Sequence, residues 1–120
     1  MIRSNVLTSD EILTLMGSPV GFTTWSMNDF KENTEIKYRD NGLAIKKKYD
    51  NEIELDDALF DFLSEVSVHS EGIRSLNDDV LIEVLTAIYT EEIPAVYIDK
   101  RNIELIHRLN SSFDVDVYIT

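Results

Sequence analysis

Two aspartates near the carboxy-terminal end of the sequence are spaced in a way that could support chemistry. Asp114 and Asp116 alternate with Phe113, Val115 and Val117, and this two-residue period places both carboxylates on one face of a strand. Paired carboxylates can hold a divalent cation, or divide the roles of general acid and general base. Carboxylates on an edge strand also protect a sheet from aggregation without any chemistry. Because the sequence indicates no third ligand, we favour the solvated strand face.

The other residue types that commonly carry catalysis form no recognisable motif. His69 and His107 lack the spacing of an HExxH metal site, and we expect both to be structural, with His107 partly buried beside the apolar stripe of a helix. The chain has no cysteine and only four glycines, and it contains neither a Gly-x-Ser-x-Gly nucleophile motif nor a P-loop. We therefore expect a protein that is not an enzyme and that uses no metal and no cofactor.

Negative charge is concentrated in the middle of the chain. The formal net charge is −12, and from Asp50 to Asp99 fourteen acidic residues accompany a single basic one, Arg74. Such a surface could serve solubility alone, or it could attract a basic partner. In the second case we expect carboxylates to make the contact, with Tyr49 and Phe60 as candidate aromatic anchors. The candidate partner-binding residues are Asp50, Glu52, Glu54, Asp57, Asp61 and Glu65.

Positive charge is concentrated just before this acidic region. Six of the eleven basic residues lie in segment 31–48. Within it, Asn41-Gly42 predicts a two-residue type I′ turn between two strands, because Asn and Gly readily adopt positive φ angles. The resulting hairpin would place Tyr38 and Tyr49 on an apolar face and most of the cations on the other. Together with the net charge, this arrangement disfavours nucleic acid as a direct partner.

The rest of the chain must supply the elements that position these residues. Apolar periodicity predicts helices near Ser9–Met16, Asp56–Ser67 and Lys100–Leu109, the last with Asp99 as its N-cap and Asn110 at its end. Strands are predicted over 1–6, 20–27, 34–39, 43–49, 80–90 and 113–119. The prediction is a single α+β domain over residues 1–120, an antiparallel-rich sheet with about three helices packed on it.

The apolar run 80–90 fits two periods. A helical stripe is possible, but the many Val, Ile, Thr and Tyr residues favour a strand. Pro94 cannot donate a ladder hydrogen bond, so pairing should stop near Ile93. A short edge strand is then expected over Ala95–Ile98, ahead of the last helix.

Two stretches of the sequence resemble a bacterial family known as domain of unknown function 4279. The run from Ile98 to Leu109, followed by Asp114-Val115-Asp116-Val117-Tyr118, is similar to the cap residue, short helix and Asp-apolar-Asp-apolar-Tyr strand with which its members end. Near the front, Asp10-Glu11-Ile12 with Leu15-Met16-Gly17 and Pro19 resembles the family's first helix and its Gly-x-Pro exit. The resemblance implies an α+β fold and a bacterial source, and it brings no catalytic residues.

Size, charge and the missing catalytic motifs favour an acidic protein-binding module. Our hypothesis is an immunity or inhibitor protein that neutralises a basic partner, such as a nuclease toxin. The alternatives are a small-molecule or metal-binding domain that uses the Asp114/Asp116 strand face, and a DNA-mimic anti-defence protein. An enzyme of unrecognised type ranks last. Without an apolar run of signal-peptide or membrane-span length, we expect a cytoplasmic location and no membrane partner.

Overall fold

The computed structural model, which describes residues 1–76 and 78–120, has an α+β architecture built on one sheet. In chain order the elements are β1 (Ile2–Ser4), α1 (Ser9–Leu15), β2 (Thr23–Trp25), β3 (Asn41–Ala44), α2 (Leu55–Val66), a 3-10 turn (Ser67–His69), α3 (Ser70–Arg74), β4 (Leu81–Thr90), α4 (Lys100–Arg108) and β5 (Ser112–Ile119). The five strands lie in the order β2-β3-β1-β4-β5. The predicted fold class is confirmed.

The ends of the predicted helices follow the local sequence. Helix α1 begins with a capping box, in which Glu11 N donates to Thr8 Oγ1 at 3.1 Å and Thr8 N donates to the Glu11 carboxylate at 3.3 Å. Asn110 follows the C-cap of α4 and adopts the predicted left-handed conformation, with a φ of 53° and Ser111 N bonded to Ile106 O at 3.3 Å. Asp99 is the N-cap of α4, but its side chain makes no cap hydrogen bond.

The ambiguous run 80–90 is a strand, as predicted. β4 pairs with β5 over eight residues, Glu83–Thr90 against Ser112–Ile119, and this pairing is parallel, whereas the other three pairings are antiparallel. Parallel neighbours need a crossover, which segment 91–99 and α4 supply. The sheet is therefore mixed, with its longest ladder at the parallel edge.

The prediction of an edge strand over Ala95–Ile98 is wrong. No residue between Thr90 and Lys100 belongs to a strand or helix. The backbone here is held by α2 instead, because Asp99 N donates to the Asp56 carboxylate at 2.8 Å. Ile98 packs against the core from this position. The segment thus delivers the start of α4 to α2.

The prediction of a hairpin with its turn at Asn41-Gly42 is also wrong. Asn41–Ala44 is a strand with partners on both sides, so the expected strand pair over 34–39 and 43–49 does not form. The Asn41 side chain links two other segments, accepting from Met27 N at 2.7 Å and donating to Leu7 O at 3.1 Å. The chain reverses earlier, around an isolated antiparallel bridge between Phe30 and Lys37.

Gly42 meets a steric requirement rather than a turn requirement. A methyl group at this position would overlap the Trp25 indole and lie 2.7 Å from the carbonyl oxygen of Ile2. Trp25 of β2 pairs with Gly42 across the sheet, and the missing side chain leaves room for the ring. The glycine of Asn41-Gly42 is therefore explained by close packing against Trp25 and not by a turn.

The hydrophobic core joins the first strands to the helices. Ile12 of α1, Leu43 of β3, Leu63 of α2 and Leu109 after α4 are almost completely buried. The full cluster is Ile2, Ile12, Met16, Leu43, Leu59, Leu63, Ile73, Leu76, Ile82 and Leu109. Among residues 1–76 and 78–120, no helix is both long and apolar enough to cross a membrane.

Candidate binding surface on helix α2

One side of α2 and its N-cap carries a stripe of carboxylates. Glu54, Asp57, Asp61 and Glu65 recur at spacings of three and four residues, which places them one above another on a helix. All four are exposed, whereas Leu59 and Leu63 on the opposite side enter the core. Asp50 and Glu52 lie in the turn that leads into the helix. The structure thus brings the six predicted partner-binding residues onto α2 and its entry.

Lys47 is shared between the last two carboxylates of this stripe. Its Nζ lies 2.8 Å from Asp61 Oδ2 and 2.7 Å from Glu65 Oε1. The Tyr49 hydroxyl donates to the same Asp61 oxygen at 2.6 Å. The hydrogen bonds to Asp61 and Glu65 raise the pKa of Lys47, and the bonds from Lys47 and Tyr49 lower the pKa of Asp61. Partial desolvation and the bond to Asp61 raise the pKa of Tyr49 to about 12.

Arg101 of α4 holds the other end of the stripe. Its Nη2 lies 3.1 Å from Asp56 Oδ2 and 2.9 Å from Asp57 Oδ1, and its Nε lies 3.9 Å from Asp99 Oδ2. The guanidinium carbon is 4.2 Å from the centroid of the Phe60 ring, within cation–π range. The bond to Asp56 is the main cause that raises the pKa of Arg101. The single guanidinium group of Arg101 therefore lies within ion-pair distance of three carboxylates and also covers the Phe60 ring.

Asp56 joins α2 to α4 through hydrogen bonds that no sequence pattern predicted. Besides Arg101, it accepts from Asp99 N at 2.8 Å and from Asn102 Nδ2 at 2.7 Å. Asn102 is 0% exposed and also donates to Asp56 O at 2.9 Å. The backbone bond from Asp99 is the first cause that lowers the pKa of Asp56. Asn102 is a polar residue that directly follows Lys100 and Arg101 in the sequence, so no sequence pattern predicted its burial.

Acid should weaken the Asp61 contribution to folding. Because the pKa of Asp61 is lowered in the folded state, its stabilising effect is present above the unfolded pKa of about 4 and disappears as pH falls through the folded value. We expect the difference in unfolding free energy between wild type and Asp61→Asn to shrink between pH 6 and pH 3 in urea titrations. In a Lys47→Gln background the pH dependence of this difference should diminish. A difference that stays constant over this pH range would contradict the assignment.

The carboxylates around α2 outnumber their cations. We define the acidic face as eight carboxylates and the two cations that bridge them, Lys47 and Arg101. The eight carboxylates are Asp50, Glu52, Glu54, Asp56, Asp57, Asp61, Glu65 and Asp99. The bridges order the side chains but leave most of the negative charge uncompensated, so the face can attract cationic groups.

The other residues considered for chemistry lie apart from this face. Asp114 and Asp116 are exposed on β5 opposite Leu85 and Ala87 of β4. Over residues 1–76 and 78–120, no group of three or more His, Asp or Glu side chains is placed to hold a metal. His107 is exposed, which corrects the expectation of partial burial, because it lies on the outer side of α4, four residues after exposed Ile103.

A second concave surface lies beside the start of the sheet. It is a cavity of about 330 Å³, lined by Met1, Arg3, Trp25, Lys31, Ile36, Lys37, Tyr38, Arg39 and Asp40, and we call it the aromatic–cationic cleft. The rings of Trp25 and Tyr38 are stacked, with centroids 5.2 Å apart and planes at 18°. Tyr38 lines this cleft and is not on the apolar face of the predicted hairpin, because that hairpin does not form.

Comparison with known proteins gives one match. A family model described as domain of unknown function (DUF4279) matches residues 1–120, the full length of the sequence. Searches of curated proteins and of solved structures each returned no match.

Proposed function

Since this chain belongs to the family of domain of unknown function 4279, whose description assigns no activity, we propose from its own surface that it is a non-catalytic module that binds a basic protein through the acidic face. The observation that carries the proposal is the sharing of Lys47 and Arg101 among several carboxylates. A surface meant only for solubility does not need its charges ordered, whereas a binding surface gains affinity when its groups are held in place before the partner arrives.

The charge of the acidic face supports recognition of a cationic partner. Lys47 balances one of its two carboxylates, and Arg101 one of its three. The uncompensated negative charge of the face is part of the net charge of −12, and it would accelerate encounter with a positively charged surface. Lysines or arginines of the partner could also displace Lys47 and Arg101 from oxygens that are already positioned.

Apolar groups within the acidic face could supply affinity beyond charge. Phe60 is 36% exposed on α2, and Ile53 is 40% exposed in the turn before it. Aromatic side chains ringed by polar groups commonly dominate binding energy. Phe60 is the stronger anchor candidate, because Tyr49 is only partly exposed and already donates to Asp61.

The partner class we favour is a nuclease toxin, which makes this protein an immunity or inhibitor protein. Nucleases bind phosphates through basic clefts, so an ordered acidic face is complementary to them. A DNA-mimic anti-defence protein would use the same charges against a different basic partner. The cytoplasmic location expected from the sequence belongs to this proposal, since an immunity protein meets its toxin inside the cell.

The test uses the product of a toxin-like gene adjacent to the gene for this protein. We expect the pair to associate, with an association rate that falls at least tenfold between 50 and 500 mM NaCl, as steered association does. Combined Asp57→Asn, Asp61→Asn and Glu65→Gln should weaken binding by about 10- to 100-fold. The charge-matched control combines Glu91→Gln, Glu92→Gln and Asp116→Asn, which lie outside the acidic face and should change affinity less than threefold.

Three results would contradict the proposal. They are a salt-insensitive association rate, an affinity untouched by the acidic-face substitutions, and equal losses in the two triple variants. Loss of binding in Lys46→Ala with Lys48→Ala would show that the partner is acidic, which reverses the sign of the recognition.

A further inference from the structure

The aromatic–cationic cleft has a charge opposite to that of the molecule as a whole. Its lining contains Arg3, Lys31, Lys37 and Arg39 but only one carboxylate, Asp40. The net charge of the protein is −12, so a cationic concave surface is a local reversal. The cleft and the acidic face share no residue.

The floor of the cleft is a fixed hydrogen-bonded network. Arg3 Nη2 lies 2.7 Å from Glu83 Oε1, and Arg3 Nη1 lies 3.3 Å from Asp40 Oδ2. The second oxygen of Asp40 accepts from Trp25 Nε1 at 3.3 Å. The Trp25 ring is thus held by this hydrogen bond and by its close approach to Gly42. In these contacts Arg3 and Asp40 are already paired with each other and with neighbouring groups. The Trp25 indole is held in place and forms a rigid wall of the cleft.

Three cations of the lining have no such bonds. Lys31, Lys37 and Arg39 are exposed, and within segments 1–76 and 78–120 none of them forms an ion pair. Lys31 Nζ lies 5.6 Å from the centroid of Tyr38, and Lys37 Nζ lies 5.4 Å from that of Phe30, so each ammonium group lies beside an aromatic ring. The carboxylates of Glu32 and Glu35 belong to the same loop but do not line the cleft. The three cations are therefore available to an anion.

The aromatic pair provides the second half of a binding site. Trp25 and Tyr38 are each only partly exposed, and Ile36 completes an apolar lining next to the cations. A cavity of about 330 Å³ is at the small end of ligand sites, the size for a single ring system with one charged group. Flat rings stack on such side chains, and lysine and arginine bind phosphate or carboxylate groups.

We propose that the aromatic–cationic cleft binds a small aromatic anion, a flat ring that carries a phosphate or carboxylate group. The ring lies against the Trp25–Tyr38 pair, and the anionic group contacts Lys31, Lys37 and Arg39. The inference rests on this geometry alone and stands whether or not the acidic face binds a protein.

The only tryptophan of the chain lines the cleft, so its fluorescence reports binding directly. Excitation near 300 nm separates Trp25 from the absorption of the probes, which are adenosine 5′-monophosphate, adenosine, benzoate and inorganic phosphate. We expect saturable quenching by an aromatic anion below about 1 mM, the range of weak specific binding. Adenosine and phosphate, which each lack one half of the ligand, should bind at least tenfold more weakly. Preference for the monophosphate or for benzoate would show which combination of ring and anionic group fits the cleft better.

Matched variants test the role of the three cations. Combined Lys31→Gln, Lys37→Gln and Arg39→Gln should weaken binding of the preferred probe at least tenfold, whereas combined Lys46→Gln, Lys48→Gln and Arg74→Gln removes the same charge elsewhere and should change it less than threefold. These side chains are all exposed, so the variants should fold. Absence of saturable quenching by either aromatic anion up to 10 mM, or equal weakening in both triple variants, would overturn the proposal.

Discussion

Replacement of Asn102 by aspartate is expected to lower the free energy of unfolding by about 3–5 kcal/mol at pH 7, the cost of an uncompensated buried charge. The Asn102 amide nitrogen donates to Asp56 Oδ1 at 2.7 Å and is completely buried. In Asn102→Asp a carboxylate oxygen would take the place of that donor. Its other oxygen would occupy the site of Asn102 Oδ1, which has no hydrogen-bond partner among the described residues.

The penalty should depend on pH in a direction that identifies its cause. Two carboxylates at this distance cannot both ionise, so the introduced group would have a folded-state pKa above its unfolded value of about 4. A raised pKa means that the loss of stability grows as pH rises through the unfolded value, and that it is smaller in acid. Urea unfolding of wild type and variant at pH 4.5 and pH 7.5 measures this difference.

Asn5→Asp is the control for the chemical change itself. Asn5 is exposed, so its conversion should change stability by less than about 0.5 kcal/mol. If Asn102→Asp cost no more than this, or cost the same at both pH values, the hydrogen bond from Asn102 to Asp56 would not hold α4 on α2.

Substitution of Gly42 by alanine is expected to cost about 2–3 kcal/mol, the upper part of the range for overpacking. On propensity alone, alanine should improve a strand position occupied by glycine. Here the added methyl would overlap the Trp25 indole and approach Ile2 O to 2.7 Å, and the carbonyl belongs to the backbone of a paired strand. The steric term therefore exceeds the gain from propensity. A shifted emission maximum of Trp25 should accompany the loss of stability measured by urea unfolding.

A double-mutant cycle isolates the clash with the ring. In a Trp25→Leu background, Gly42→Ala should cost less than in wild type, because the indole is gone and only the contact with Ile2 O remains. Equal costs in both backgrounds would show that the ring does not determine the requirement for glycine. A stabilising effect of Gly42→Ala in wild type would contradict the close approach altogether.

Helices α1, α2 and α4 could be predicted because their information is local, whereas the five-residue α3, which contains Gly72, was not predicted. The capping box of Thr8 and Glu11 and the left-handed Asn110 act within a few residues of sequence, and both are present. The strand over 80–90 was recognised from side-chain type, since branched and aromatic residues suit a pleated surface. Asp57, Asp61 and Glu65 could be placed on one side of α2 because helical spacing alone aligns them, whereas Asp50, Glu52 and Glu54 precede the helix.

Asn41-Gly42 shows where local information failed. The pair suits a type I′ turn in isolation, but β3 pairs with β1 on one side and with β2 on the other. The Trp25 ring also occupies the space that a side chain at position 42 would need. The partners of a strand lie far away in sequence, so no local pattern could reveal them. The wrong register then hid the stacking of Tyr38 on Trp25 and, with it, the aromatic–cationic cleft.

The sequence by itself determined the helices α1, α2 and α4, the strand over 80–90 and where charge is concentrated. The tertiary structure decided how the first three strands pair and which charges meet. Lys47 reaches Asp61 and Glu65 from outside α2, and Arg101 reaches Asp56 and Asp57 only after the crossover places α4 beside α2. The physical reason is the distance along the sequence over which each kind of interaction acts. Periodicity and capping operate over a few residues, whereas ion pairs, buried hydrogen bonds and a cavity wall depend on segments that only the packed core brings together.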